Sequence, residues 1–522
     1  MTTDKPYEWL VMIYMAGNNS LGEDCVEALT QMAEADISDK IGVFAQLNTE
    51  VHKGTTLRIT KATTVDEVHN QLNKAIAEQE EREEEKEADH REKILTFVRS
   101  SMEEFTAKHC MLVLSGHGAG VDPFLNDNTG TSPFTIINFG KLIETINKGL
   151  LDGERIDILG LDSCLMSMTE VAYIVHNHVK VMIGAEGFEP KAGWPYKRVL
   201  ERISQASDDV HSLSKAIVCD YIKHYTVFQA ANVSVDQAAC DVQHGAVPLM
   251  KAIHSLGAAL RESLDEFNKS HRKRNADVRD AVVLAHWEAQ LYKNEQYVDL
   301  YDFCTLLKRR LNKAHFAIRR ACQNVLNAIL GTEQQKKIEK EANEFDPELA
   351  DPEFIAPMSN DEGFMHKVNF QDGRDVPGFV LKSCYSGWAV QYSFGVSLYF
   401  PWSEVPSDLE EYRKLFFSND SRWADFLGTY LEATKREPRL GHWDSPPYPY
   451  GFLRAGFNVA QEAGGTAGFV TGHKNAEPNK NAEPNKSLTN LVGSMKNPPT
   501  QFSKCDCEVD SIRAGTSESR RR

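Results

Sequence analysis

Ile156-Asp157-Ile158-Leu159-Gly160-Leu161-Asp162-Ser163-Cys164 is a short apolar run that stops on a cysteine. Beyond it, apolar residues recur at Leu165, Met168, Val171, Ala172 and Val175, which is helical spacing. The pattern predicts a strand, with the thiol at its C-terminal end and next to a helix N-terminus. Open α/β sheets place their ligands at such ends. A helix N-terminus also favours an anion, which helps to ionise a thiol. A second run, Cys110-Met111-Leu112-Val113-Leu114-Ser115, ends on Gly116-His117-Gly118. One strand thus delivers a histidine flanked by glycines, and a later strand delivers a cysteine. The interval between them has room for one βα crossover, so the two side chains are expected on adjacent strand ends, as in a cysteine peptidase.

Working outward, Trp9–Ala16 reads as a buried first strand that runs into the turn Gly17-Asn18-Asn19-Ser20. A helix is expected at about 23–35, a strand at 41–47, a short edge strand at 57–60, and charged helix over 66–108. Further helix is expected at about 138–150 and a strand at 179–185. The alternation argues for a mostly parallel sheet in a three-layer α/β/α sandwich. After the last of these strands, residues 186–196 form a loop rich in Gly, Pro and aromatics, as binding loops often are.

From about residue 204 the pattern turns helical, with helices expected at 212–225, 247–269, 281–311, 314–330 and 409–434, and a β pattern at 388–400. The expected organisation is residues 1–203 as one domain, 204–451 as a mainly helical region packed on it, and 452–522 as a disordered tail. That tail carries the hexapeptide Lys-Asn-Ala-Glu-Pro-Asn twice in tandem, at 474–479 and 480–485, which is linker-like composition.

The 522 residues carry a net charge of −17, which argues against a dedicated nucleic-acid binder and makes basic peptides plausible partners. No run of about 18 apolar residues suggests a membrane span. Residues 1–16 lack the features of a signal peptide, so a cytoplasmic protein with reduced thiols is expected. The ten cysteines are scattered, and most read as buried apolar residues.

A thiol attacks a carbonyl only as thiolate, and the reaction needs a base, an oxyanion site and a side-chain pocket. Cys164 is the candidate nucleophile and His117 the candidate proton carrier. Gly118 and the Cys164 backbone N–H are the candidate oxyanion donors. Taken singly, a cysteine at a strand end or a His-Gly turn is more often structural than catalytic.

These residues sit within a longer set of collinear blocks. They are residues 9–19, Ser115-Gly116-His117-Gly118, Asp162-Ser163-Cys164-Leu165-Met166 with Glu170-Val171-Ala172-Tyr173, Gly193-Trp194-Pro195-Tyr196, residues 297–301 and residues 395–401. Over about 9–432 the chain resembles the clostripain family, caspase-like cysteine peptidases of clan CD. The resemblance implies a caspase-like fold, cleavage of peptides or proteins after Arg or Lys, and a dyad of His117 and Cys164. It further implies that Asp162 lines the pocket for the basic side chain. The alternative for Asp162 is a helix cap.

Where a second pocket carboxylate is sometimes found in the family, this chain has Ala192, so Glu186 and Glu189 are the candidate replacements. Trp194 is either a cleft wall or a core anchor. Some relatives need calcium, for which Asp122, Asn126, Asp127 and Asn128 are candidate oxygen ligands. Relatives often cut themselves between the His and Cys strands. Here Gly118–Phe139 holds no Lys or Arg, and Lys141, Lys148 and Arg155 are the first candidates. An activating or inhibiting protein partner would suit a cytoplasmic protease. The competing functional readings are a catalytically silent peptide-binding scaffold and a peptide ligase or acyl transferase built on the same dyad.

Overall fold

The computed structural model describes residues 7–80, 89–125, 133–206, 209–228, 233–270, 273–293, 296–332, 334–335, 378–401 and 406–435. The expected tail, Asn126, Asp127 and Asn128 lie outside these residues.

Strand β1 (Tyr7–Ala16) explains why the apolar runs are continuous rather than alternating. Leu10, Met12 and Tyr14 join one apolar layer, while Trp9, Val11, Ile13 and Met15 join the other. A strand covered on both faces has no polar side to show. After β1 come α1 (Gly22–Ala33), β2 (Ile41–Asn48), β3 (Lys53–Ile59), α2 (Val65–Glu80), α3 (His90–Glu104) and β4 (Ala107–Ser115). The chain continues with α4 (Ile136–Gly149), β5 (Ile156–Asp162), α5 (Thr169–Val175), β6 (Val179–Gly184), α6 (Tyr196–Ser204), α7 (Val210–Thr226) and β7 (Val235–Asp241). It goes on through α8 (Val242–Ser270), α9 (Lys273–Glu288), β8 (Leu291–Tyr292), β9 (Tyr297–Asp299), α10 (Leu300–Arg310) and α11 (Phe316–Leu330). The last described elements are β10 (Val380–Ser386), β11 (Ser397–Tyr399), α12 (Pro406–Tyr412), α13 (Phe416–Ser421) and α14 (Trp423–Lys435).

The main sheet has the order β10-β7-β6-β5-β4-β1-β2-β3, with β2, β1, β4, β5 and β6 mutually parallel. Strands β3, at one edge, and β7 run antiparallel to their neighbours. Helices α3, α4, α5 and α8 contribute to one apolar layer, and α1, α2, α6 and α7 to the other. This is the expected caspase-like α/β/α sandwich.

The helix of the β1–β2 crossover covers one face and those of the β4–β5–β6 crossovers the other. Right-handed crossovers impose this when the strand order departs in opposite directions from β1 and β4. The β1/β4 boundary is therefore a topological switch point, where a crevice opens at the strands' C-terminal ends.

Three sequence readings change. First, the expected boundary at 203/204 does not separate two sheets: β7 and β10, from the later segment, complete the main sheet. Second, the expected helix at 281–311 is interrupted by the β8–β9 hairpin, which pairs with β11 in a small second sheet. Tyr297 and Val298, an aromatic and a β-branched residue, suit that strand. Third, the helix expected directly after Cys164 begins only at Thr169. Leu165 takes a left-handed backbone, φ 67°, which helix cannot continue.

Glu170, in the first turn of α5, is buried and joins this turn to the chain's later part. Its carboxyl accepts hydrogen bonds from the Tyr399 N–H, the Tyr412 hydroxyl and the Thr169 hydroxyl, each at 2.9 Å. Replacing it with Ala strands a buried amide and a buried phenol. Glu170→Ala is expected to destabilise the fold by about 3 kcal/mol, read as a lower urea midpoint with little change in slope.

Candidate active site

Register decides which residues meet. Strands β4 and β5 are parallel and pair Ser115 with Asp162 on their last rung. His117 and Cys164 each stand two residues past that rung, so adjacent strand ends deliver them to one place. Gly118 shows how close the two turns approach. A Cβ there would fall on the Cys164 carbonyl oxygen and lie 2.7 Å from the Cys164 nitrogen, so only glycine allows the backbones to meet.

The cysteine turn is clamped on its far side. Leu165 N–H donates to the Gly187 carbonyl and Ser167 N–H to the Ala185 carbonyl, each at 2.8 Å. The Ser167 hydroxyl donates to the Gly395 carbonyl at 2.8 Å, and Ser397 N–H to the Ser167 carbonyl at 2.9 Å. Two strand ends thus hold the turn, which is why it can keep a strained Leu165 instead of entering a helix.

Cys164 is the most exposed of the eight described cysteines, all of them free thiols. Its sulfur is nonetheless enclosed by the following loop. Glu189 N–H donates to Sγ at 3.2 Å, and the thiol points back to the Glu189 carbonyl at 3.7 Å. Burial pushes the thiol up to about 12; the Glu189 N–H on the sulfur pulls it down, and the Glu189 and Asp162 carboxyls push it up less strongly. The expected activation by a helix N-terminus is therefore corrected. With the helix starting later, desolvation dominates, and the resting sulfur is a neutral thiol.

His117 is shifted the other way. Burial, helped by the Lys191 ammonium, lowers its pKa, so at neutral pH it is a neutral imidazole able to take a proton. Its Nε2 lies 3.3 Å from the hydroxyl of Ser20, in the turn after β1, across the switch point. Asn19 shapes that turn: its amide donates to the Ala16 carbonyl and its oxygen accepts the Leu21 N–H.

Asp162 is 4% exposed and caps no helix. Its carboxylate accepts the Tyr196 hydroxyl at 2.6 Å and is also hydrogen-bonded with Glu189, Ser115 and the Trp194 amide. Gly193, φ 63°, packs on it so tightly that a Cβ would lie 2.8 Å from Oδ2. Glu189 is its buried partner and also accepts Gln237 Nε2 at 3.0 Å and Trp194 Nε1 at 3.4 Å. Burial raises both carboxyls, that of Glu189 well above its ordinary range, with Asp162 the next cause. Two carboxyls in contact share a proton rather than both ionise.

Glu186 and Trp194 do not fit the substrate roles expected of them. Glu186 is fully buried; its carboxyl accepts the Gly395 N–H and is hydrogen-bonded with Asp299, and burial with Asp299 and Asp236 raises its pKa well above the ordinary value. It braces the loop instead of lining the Cys164 turn. Trp194 is 1% exposed and fills the space over Gly160, where a Cβ would lie 2.8 Å from its ring. It is a core anchor.

Ser20, Tyr196, Gln237 and Asp236 belong to this region and were missed in the sequence. Asp236 accepts the Glu186 and Gly187 N–H groups at 2.7 and 3.0 Å, and burial raises it to about 6. Asp236 and Gln237 sit on β7, a strand whose polar residues hid its apolar pattern. Of the calcium candidates, Asp122 is ion-paired with Lys293. Of the candidate cut sites, Lys148 lies in the last turn of α4, paired with Glu144 at 2.6 Å.

Solved structures that resemble the chain include three C11 cysteine proteases. A secreted C11 cysteine protease from Bacteroides thetaiotaomicron in complex with an irreversible peptide inhibitor has 16% identity and a TM-score of 0.47, covering 80% of this chain and 99% of that one. An inactive zymogen C11 protease from Parabacteroides distasonis has 14% identity and a TM-score of 0.45, with the same coverages of 80% and 99%. A secreted C11 cysteine protease from Bacteroides thetaiotaomicron called iotapain has 12% identity and a TM-score of 0.46, covering 80% and 100%. A search of curated proteins finds no match. The profile Peptidase_C11, described as the clostripain family, matches residues 13–430. The chain therefore belongs to the clostripain family and is a cysteine-type endopeptidase.

Proposed function

We propose that the chain hydrolyses peptide bonds after Arg or Lys with Cys164 and His117 as its dyad. The observation that carries this reading is the last β4–β5 rung, past which His117 and Cys164, the most exposed described cysteine, follow on adjacent strand ends. In the reaction, His117 takes the Cys164 proton and the thiolate attacks the scissile carbonyl carbon. The Gly118 and Cys164 N–H groups hold the resulting oxyanion. Collapse expels the amine, which leaves with the proton from His117. Water, deprotonated by His117, then hydrolyses the thioester and restores the thiol.

Asp162 and Glu189 form the acidic floor of the pocket for the basic side chain. An entering guanidinium or ammonium stabilises both carboxylates, so their shared proton is released on binding. Entry requires the Glu189 peptide to leave the sulfur. The substrate is a peptide or protein. No described helix is long and apolar enough to cross a membrane. A cytoplasmic location is part of the proposal.

The direct test is cleavage of fluorogenic peptides that differ only at P1, with and without calcium. Arg and Lys peptides are expected to be cleaved. Cys164→Ala is expected to lower kcat by at least about 1,000-fold. Equal cleavage after Asp or Asn would remove the acidic-pocket assignment, and an undiminished Cys164→Ala would remove the dyad.

The raised carboxyl pair gives a second prediction. A cation binds better once the pair ionises, so KM for the Arg peptide is expected to fall as pH rises through the pair's titration. Glu189→Gln should flatten that dependence and raise KM by about 10-fold at neutral pH. Because folding raises these pKa values, their contribution to stability is full below the unfolded values and lost as pH rises through the folded ones. Glu189→Gln is therefore expected to gain more in melting temperature over wild type at pH 8 than at pH 5.

A further inference from the structure

The turn carrying His117 is held from outside by a side chain far along the chain. Lys293, in the β8–β9 hairpin, lies 174 residues after Ala119 and is only 14% exposed at its side chain. Its Nζ donates to the Ala119 carbonyl at 3.1 Å, to the Tyr297 hydroxyl oxygen at 3.1 Å, and to the Asp122 carboxylate. A lysine ammonium has three hydrogens, and all three find oxygen here. Tyr297, fully buried, donates its own hydroxyl to the same Ala119 carbonyl at 2.6 Å. Its ring lies against Gly120, φ 70°, where a Cβ would be 2.5 Å from the ring edge.

Such a site is costly to build. Lys293 adopts a left-handed backbone, φ 46°, which a non-glycine residue rarely takes without compensation. The compensation falls on residues 119–122, immediately after His117 and Gly118. The same hairpin also reaches the loop over the thiol. Asp299 is hydrogen-bonded with Glu186, and the Tyr292 ring sits 3.3 Å from where a Gly187 Cβ would lie. One hairpin therefore touches both loops that must be in register for the dyad to work.

We infer that Lys293 is a positioning residue for peptide hydrolysis. Its ammonium, with the Tyr297 phenol, fixes the Ala119–Asp122 turn, and through it seats the His117–Gly118 peptide against Cys164. The inference rests on the His117–Cys164 reading. It assigns Lys293 no contact with substrate and no proton transfer.

The test compares full-length wild type, Lys293→Met, Lys293→Arg and Tyr297→Phe on an Arg fluorogenic peptide, at a temperature where each is folded by circular dichroism. Misplacing a reacting group by about 1 Å costs on the order of 100-fold. Lys293→Met is expected to lower kcat by about 10- to 100-fold, with KM changed less than about 3-fold. Lys293→Arg, which keeps the charge, is expected to recover part of the loss. Amide hydrogen exchange at residues 117–122 is expected to speed up in Lys293→Met while the β4 and β5 amides stay protected. Wild-type kcat in Lys293→Met, or unchanged exchange at 117–122, overturns the inference. If wild type cleaves no Arg or Lys peptide, the dyad reading fails, and the exchange comparison still decides whether Lys293 orders the turn.

Discussion

The site depends on one rung of sheet. Because β4 and β5 are parallel and end together at Ser115 and Asp162, the residues two places further on come out side by side. A one-residue slip would turn every side chain of β5 to the other face and carry the residues past Asp162 out of step with those past Ser115. The register is held by apolar layers on both faces of the strands and, at the end, by direct backbone approach of Gly118 to Cys164. The family's chemistry needs a thiol, an imidazole and amide donors within a few ångströms. In the proposed reading, this topology brings a thiol and an imidazole to neighbouring strand ends from consecutive crossovers beside a switch point.

The loops above the strand ends are built largely by buried acids. Backbone N–H groups there have no ladder partner, and a buried amide left alone is expensive. Asp236 takes the amides of Glu186 and Gly187, Glu186 that of Gly395, Asp299 those of Asp302 and Phe394, and Glu170 that of Tyr399. Burial pushes all four carboxyls above their ordinary values. Part of the chain's acidity is thus structural, inside the fold, rather than a field at the surface. Asp162 and Glu189 differ in facing each other, two raised carboxyls in hydrogen-bond contact.

Much of this was readable in the sequence, for a physical reason. Continuous apolar runs such as Trp9–Ala16 and Cys110–Leu114 signal strands covered on both faces, and Gly-His-Gly after such a run signals a tight backbone approach. Long-range partnerships left no local mark. Nothing near Glu186 in the chain announces that Gly395 and Asp299 will claim it, and nothing beside Lys293 announces Ala119 and Asp122. Strand β7 was hidden because Asp236 and Gln237 break its apolar pattern to serve the loops. The helix after Cys164 was placed too early because apolar spacing from Leu165 matches a helix, while hydrogen bonds to the Ala185, Gly187 and Gly395 carbonyls hold Leu165–Ser167 out of one.

The most direct test is covalent. A peptidyl ketone bearing a leaving group and an Arg side chain at P1 is added to the full-length protein, and the modified residue is located by peptide mass mapping. One adduct per chain is expected, on Cys164, formed at least about 100-fold faster than with the same ketone bearing Asp. An adduct on any other cysteine, or equal rates with Arg and Asp, would contradict the assignment of Cys164 as nucleophile over an acidic pocket.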